Sequence, residues 1–242
     1  MPSFTFDLLA DKALYCHETQ YVYAADLHLG KAGHFRRAGV PLPGGHNEHD
    51  LSRLSQIIRG YQPGLKGIIF LGDVFHSSHN SEWELFCDWR RHHECSMMLV
   101  EGNHDILQPD DYSRAALDVV PEGTVLDKLE LRHHPKPGYA EKNTEKPAAH
   151  VETLAQDVGS GSIRLGVRTP EDAPLYLCGH LHPGVAIYGN GRQREQLPCF
   201  WQRGRMLMLP AFGSFTGLYP ITAAQGDGVW GIAHPEVVAL HQ

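Results

Sequence analysis

The chain is poor in cysteine: 242 residues carry five, at Cys16, Cys87, Cys95, Cys178 and Cys199, with no CxxC pair. An odd, unpaired set argues against a disulfide framework and against a thiolate zinc site. Long hydrophobic runs are missing as well. No apolar stretch approaches the ~20 residues that span a membrane, and residues 1–10 lack a basic segment followed by an apolar core. A soluble, cytoplasmic protein is expected. Positive charge is scarce, with a net charge of −7 when histidine is neutral. That argues against a broad basic nucleic-acid footprint. It leaves phosphate substrates open, because bound divalent ions can dominate a local field. Several catalytic signatures are absent too: there is no GxxxxGK[ST] and no GxSxG, and HNEHD at 46–50 is not HExxH. The one excess is histidine, at 17 residues.

Length and an ordinary composition, 42% apolar and 20% charged, predict one globular domain over 1–242 with a large core. Residues 4–8 (FTFDL) alternate as a half-buried strand, and 13–16 can pair with them. Strands follow at 21–25, 66–71 (KGIIFL) and 97–100 (MMLV). Between them the spacing predicts helices at 46–61, with Leu51, Leu54, Ile58 and Tyr61 on one face, and from Ser81 onward, with Trp83, Phe86 and Trp89 or Arg90 facing the sheet. Alternating strands and helices predict a layered α/β domain. A short helix is expected over 111–117 and a single strand over 125–132 (VLDKLELR). Residues 135–174 read as an insertion or mobile segment with a helix around Val151, Leu154 and Val158. Residues 175–178 (LYLC) read as another buried strand, and short antiparallel strands at 184–188, 199–202, 206–209, 229–233 and 237–240 are expected to form the second layer of a sandwich.

The apolar strands share a grammar. Each stops at polar, metal-capable residues: Asp26 and His28 after 21–25, Gly72-Asp73 after 66–71, Gly102-Asn103-His104-Asp105 after 97–100, His133-His134 after 125–132, and Gly179-His180-Leu181-His182 after 175–178. Ligands in α/β folds sit outside the carboxyl ends of strands. In extended backbone Asp26 and His28 would share a face, as would His180 and His182. Asp26, His28, Asp73, Asn103, His133, His180 and His182 are all oxygen or imidazole donors, a set suited to manganese, iron or zinc. Seven donors exceed one ordinary site and suit two metals that share a carboxylate. Such a pair can hold a hydroxide and clamp the attacking and leaving oxygens of a phosphoryl transfer. A bridge of this kind needs a carboxylate, which has two oxygens to share where an imidazole has one lone pair. Lys31, Arg36 and Arg37 form a basic cluster in a Gly/Pro-rich loop just beyond the DxH pair, placed to meet a phosphate. Arg192, Arg194, Arg203 and Arg205 form a looser second group.

DLH (26–28), GD (72–73), GNHD (102–105) and GHLH (179–182) occur in the order and approximate spacing of the calcineurin-like metallophosphoesterases, which the chain resembles. DLHLGKAGHFRRAGVPLP (26–43), GHLHPGV (179–185) and LPAFGSFTG (209–217) are similar to the bacterial DNA ligase-associated members. The resemblance implies a four-layer αββα sandwich of two mixed β-sheets flanked by helices. It implies a phosphodiesterase with two divalent ions, manganese foremost and iron or zinc as alternatives, acting on DNA in repair beside an ATP-dependent ligase and a helicase. Asp26, His28 and His182 would hold one ion and Asn103, His133 and His180 the other, with Asp73 bridging. The ring of His133 or of His134 would fill the single-histidine position, and Leu131-Arg132-His133 fits the family pattern better. His104 would assist the leaving oxygen, with Asp105 orienting its ring. Two other readings stand beside this one: a phosphodiesterase for small molecules or cyclic nucleotides, and a metal-bound scaffold for a ligase/helicase complex.

Overall fold

The computed structural model describes residues 3–31, 45–76, 81–137, 149–156, 161–170, 173–189 and 193–241. Its first sheet holds eight strands: β1 (Ser3–Leu8), β2 (Leu14–Cys16), β3 (Tyr21–Ala24), β4 (Gly67–Phe70), β5 (Ser96–Val100), β6 (Asp118–Val120), β9 (His150–Gln156) and β10 (Ile163–Arg168). They lie in the order β6-β5-β4-β3-β2-β1-β10-β9. β3 to β6 run parallel, and the others pair antiparallel. The second sheet is built from β7 (Thr124–Leu126), β8 (Leu129–Leu131), β11 (Leu175–Cys178), β12 (Pro183–Tyr188), β13 (Arg194–Arg203), β14 (Met206–Met208), β15 (Tyr219–Pro220), β16 (Gly228–Ala233) and β17 (Glu236–His241). β11 lies between β8 and β14, parallel to both.

Strand alternation assigns each residue to a layer. In β4, Ile69 and the following Leu71 point into the core between the sheets, where they meet Leu131, Leu177, Phe200, Leu209 and Trp230. Ile68 and Phe70 point the other way, toward α1 (His46–Tyr61), α2 (Ser81–Arg91) and α3 (Pro109–Arg114). Leu51, Leu54, Ile57 and Ile58 cover that face from α1, each contributing about 1.5–3 kcal/mol by leaving water. The expected α/β fold with two mixed sheets is present. Among the described residues, all three helices serve the first sheet. The outer face of the second sheet (Tyr176, Cys178, Trp201, Met208) is covered by side chains such as Ile221 instead.

Several expected elements shift. Residues 125–132 are two strands, β7 and β8, paired antiparallel around Asp127 and Lys128, both at positive φ. A two-residue hairpin of this kind needs left-handed backbone at both turn positions, and its flanks preserve the apolar alternation that suggested one strand. The helix expected around Val151 and Leu154 is strand β9, and with β10 it extends the first sheet past β1, so this part of 135–174 is sheet. Val158 lies outside the described residues, as does much of that segment. The helix expected over 111–117 begins earlier, at Pro109, where Gln108 and Asp111 form a reciprocal cap.

On the outer face of the second sheet, Asp227 accepts bonds from the buried Arg203 guanidinium at 2.7–3.1 Å and from the Trp201 indole at 3.0 Å. Removing one member of a buried pair strands the other. Asp227→Ala is therefore expected to cost about 3–5 kcal/mol of unfolding free energy in urea titration. A loss below about 1 kcal/mol, the ceiling for an exposed pair, would contradict this.

Candidate metal centre

The strand grammar brings its polar residues to one edge. Backbone bonds continue past the strand ends: Asp26 N donates to Gly72 O (3.2 Å), His28 N to Asp73 O (2.9 Å), Arg132 N to Leu177 O (3.0 Å) and Gly179 N to His133 O (3.1 Å). Two contacts then join the sheets. His180 N donates to Asp26 Oδ2 at 2.8 Å, and His133 Nδ1 donates to Leu71 O at 2.9 Å. That second bond fixes the His133 tautomer and leaves Nε2 facing inward, the usual arrangement of a ligating imidazole.

Around His133 Nε2 lie Asn103 Oδ1 at 3.1 Å, His180 Nδ1 at 3.0 Å and Asp73 Oδ2 at 3.4 Å. On the other side of Asp73, His28 Nε2 is 4.0 Å from the same Oδ2, and His182 Nε2 is 3.4 Å from Asp26 Oδ1. All seven predicted donors therefore converge. Asp26, His28 and His182 form one group whose ligand atoms lie within 4.8 Å of one another, and Asp26, Asp73 and His133 form another. His134 joins a third group with His133 and His180. Its ring is 42% exposed and lies beside Glu122, whereas the His133 side chain is fully buried at the centre.

The donor set fits a divalent metal. Asp26 Oδ1 is buried without a hydrogen-bond partner, which costs free energy unless a cation takes up its charge, and His28 Nδ1 is likewise unpartnered. Burial holds the His28 pKa down at about 3, against the pull of Asp26, so its ring is neutral and has a lone pair to offer. Burial also acts to lower the His133 pKa, but the hydrogen bond its ring donates to Asp73 and the charges of Asp26 and Asp73 outweigh it and push it up to about 9. Burial would raise the Asp73 pKa, yet His133 and the His104 N–H hold the carboxyl well below its usual range.

The backbone here is strained. Asp26, His28, Asp73, His180 and His182 have φ of 54°, 50°, 54°, 72° and 52°. Non-glycine residues in this region cost about 1–3 kcal/mol each and persist where the surroundings over-determine them. The i,i+2 spacing thus reaches the right residues through left-handed rather than extended backbone. Glycines allow the close packing. A Cβ on Gly72 would fall 2.2 Å from the His133 ring, one on Gly102 2.4 Å from Asp73, and one on Gly179 2.5 Å from Asp26 Oδ2.

Two expectations need correcting. Asp105 does not orient the His104 ring. Its oxygens accept from the backbone N–H groups of Asp73 (2.7 Å), Val74 (3.0 Å), Phe75 (3.2 Å) and Gly102 (3.1 Å). Burial pushes its pKa up to about 6 even so. The His104 ring instead packs 4.7 Å from His76 and 5.5 Å from His28. His76, three residues after Asp73, went unnoticed in the sequence because it stands outside the GD pair. In the second arginine group, Arg203 is buried against Asp227, and the Arg205 carbonyl accepts from Tyr176 N at the start of β11, at the far end from His180. Lys31 is half-buried. Burial lowers its pKa, and the charges of Asp26 and Asp73 oppose that shift. Arg36, Arg37 and Arg192 lie outside the described residues.

Gly179→Ala should displace Asp26 and lower manganese affinity by about 10- to 100-fold, the range seen when metal ligands lose their orientation. Gly217→Ala, whose Cβ would meet nothing, should leave it unchanged. Calorimetric titration with Mn²⁺ distinguishes the two, and equal affinities would contradict the packing argument.

No protein-family model matches the chain, and no curated protein matches it. Among solved structures the chain is similar to the crystal structure of Pseudomonas putida nuclease MPE. The two share 29% sequence identity over 96% of this chain and 93% of that one, with a TM-score of 0.68.

Proposed function

We propose that the chain is a dinuclear-metal phosphodiesterase that cleaves DNA. One observation carries the reading: the buried Asp73 carboxylate stands between two donor groups, with His133 at 3.4 Å and His28 at 4.0 Å from the same oxygen. Asp26, His28 and His182 would hold the first ion and Asn103, His133 and His180 the second, with Asp73 available to both. Manganese is the proposed ion, and iron or zinc would suit the same donors. When bound, the pair supplies the Lewis acidity and the hydroxide that phosphodiester hydrolysis needs. The similarity to a nuclease over nearly the whole length supports nucleic acid as substrate, and the ligase-associated motifs support a role in DNA repair with a ligase and a helicase as partners.

The chain's own residues supply the rest. Lys31 offers a cation beside the carboxylates to bind a phosphate oxygen, and Arg36 and Arg37, five and six positions on in the sequence, are proposed to bind the phosphates that flank the scissile one. The half-buried His104 ring moves a proton to the leaving oxygen, because an alkoxide leaves poorly without one. Asp105 holds the 73–75 backbone so that Asp73 and His104 keep their spacing. A second reading, a diesterase for small molecules, is favoured by the net charge of −7, which repels long DNA.

Parallel assays on single-stranded DNA, a cyclic nucleotide and an aryl phosphodiester, with the bound metal counted, separate these readings. His104→Ala should retain two ions yet lose roughly 10²- to 10⁴-fold in rate on DNA. The loss should be smaller on a nitrophenyl ester, whose leaving group needs no proton. Metal loss in this variant would make His104 a ligand and overturn its role.

A further inference from the structure

Two stretches of sequence stand outside the donor set: HNEHD at 46–50 and LPAFGSFTG at 209–217. The fold brings them together. Asp50, on the first turns of α1, accepts from Ser214 N at 2.9 Å and from the Ser214 hydroxyl, and from Arg53 Nη1 at 3.0 Å. Arg53 in turn donates from Nη1 to Phe212 O at 3.0 Å and from Nε to Asp11 Oδ1 at 3.2 Å, and also bonds Asp11 O. Its guanidinium lies 4.2 Å above the Phe212 ring. Asp50 and Arg53 are both buried.

The residues they grip touch the metal-bearing turn directly. Phe212 N donates to Ala25 O at 2.7 Å and Gly213 N to Asp26 O at 3.2 Å, and Ala25 and Ala211 form a β-bridge. A Cβ on Gly213 would lie 2.4 Å from Leu27 O, so this backbone is pressed against the turn with no room for a side chain. The turn itself is strained, with Asp26 at φ 54° and His28 at φ 50°. Oδ1 of Asp26 has no hydrogen-bond partner, and Oδ2 accepts from His180 N at 2.8 Å. The direction from which the carboxylate enters the site is set by the main chain of this turn.

We propose that Asp50 and Arg53 are positioning residues: acting through the 211–214 backbone, they hold Asp26 and His28 in the left-handed conformation that presents them to the first ion. Neither touches substrate or metal. The guanidinium suits this task because its planar fork can bond Phe212 O and Asp11 at once while stacking on a ring, which an ammonium cannot do. The Asp50 carboxylate accepts from Ser214 and Arg53 together and makes the clamp one network. The effect is local. His133 is held by Leu71 O, Asn103 follows β5 and His180 follows β11. Asp50 and Arg53 bond none of them directly, so the second ion should be spared.

This assignment rests on the two-ion reading, and the test keeps the failures apart. Wild type, Arg53→Lys and Asp50→Asn are titrated with Mn²⁺ in a calorimeter, and their melting temperatures are recorded with and without Mn²⁺. In both variants one manganese equivalent should weaken by about 10- to 100-fold and the other should keep its affinity. The manganese-induced rise in melting temperature should shrink accordingly, since bound ligand stabilises in proportion to its affinity. A clamp that is only structural would lower the metal-free melting temperature and leave the manganese affinities unchanged, which would overturn the assignment. If either variant fails to fold, Ser214→Ala, at an exposed position, removes a single bond of the same network. It should weaken the same equivalent by a smaller factor, and no change there would also overturn the proposal. A wild-type protein that binds no manganese would sink the metal reading itself, and this assignment with it.

Discussion

The buried carboxylate of Asp73 is the constraint on which the site depends. An ionised carboxylate taken out of water costs several kcal/mol unless charge and hydrogen bonds are returned to it. Here one backbone N–H, from His104, reaches Oδ1, and two imidazoles from different parts of the chain approach Oδ2. His28 arrives from the first sheet and His133 from the second, so this oxygen lies at the seam between them. Without metal, the countercharge comes from His133, whose pKa is pushed up to about 9, while the His28 ring is held neutral by burial. A divalent cation on each side would complete the balance, and the donors needed to hold both are already assembled.

Such an assembly demands unusual backbone, and the fold is arranged to hold it. DLH and HLH repeat one device: two left-handed residues flank a leucine, at 26–28 and at 180–182. Each turn is fastened by a neighbour. Asp105 spends its whole carboxylate on the 73–75 and 102 backbone, and the 211–214 segment braces 25–27 from the far side. The glycines before Asp73, Asn103 and His180 are there for proximity, since a methyl at any of them would strike a donor residue. Rigid strands thus end in turns that none of their own residues would choose.

Much of this could be read from the sequence, for definite reasons. Buried parallel strands such as GIIF and LYLC are short apolar runs that stop at glycine, so both the strand and its terminal donors were visible together. α1 was legible at its full length because Leu51, Leu54 and Ile58 recur at helical spacing. Long-range, context-dependent features were not. Leu154 in β9 fits a helical period by chance, and only pairing with β10 makes that stretch a strand. Asp105 looked like a partner for the adjacent His104, but three of its four bonds go to residues about thirty positions away. Arg203 counted as surface charge until Asp227 appeared beside it. Asp50 could be set aside as part of a failed protease motif because its partner, Ser214, lies 164 residues further on.

The central claim is that Asp73 belongs to two ions at once, and magnetic coupling tests it most directly. Protein loaded with two equivalents of Mn²⁺ should give the electron paramagnetic resonance spectrum of an exchange-coupled pair, and Asp73→Asn should abolish that coupling. Two equivalents bound with the spectrum of magnetically isolated ions, or coupling that survives in Asp73→Asn, would contradict the account.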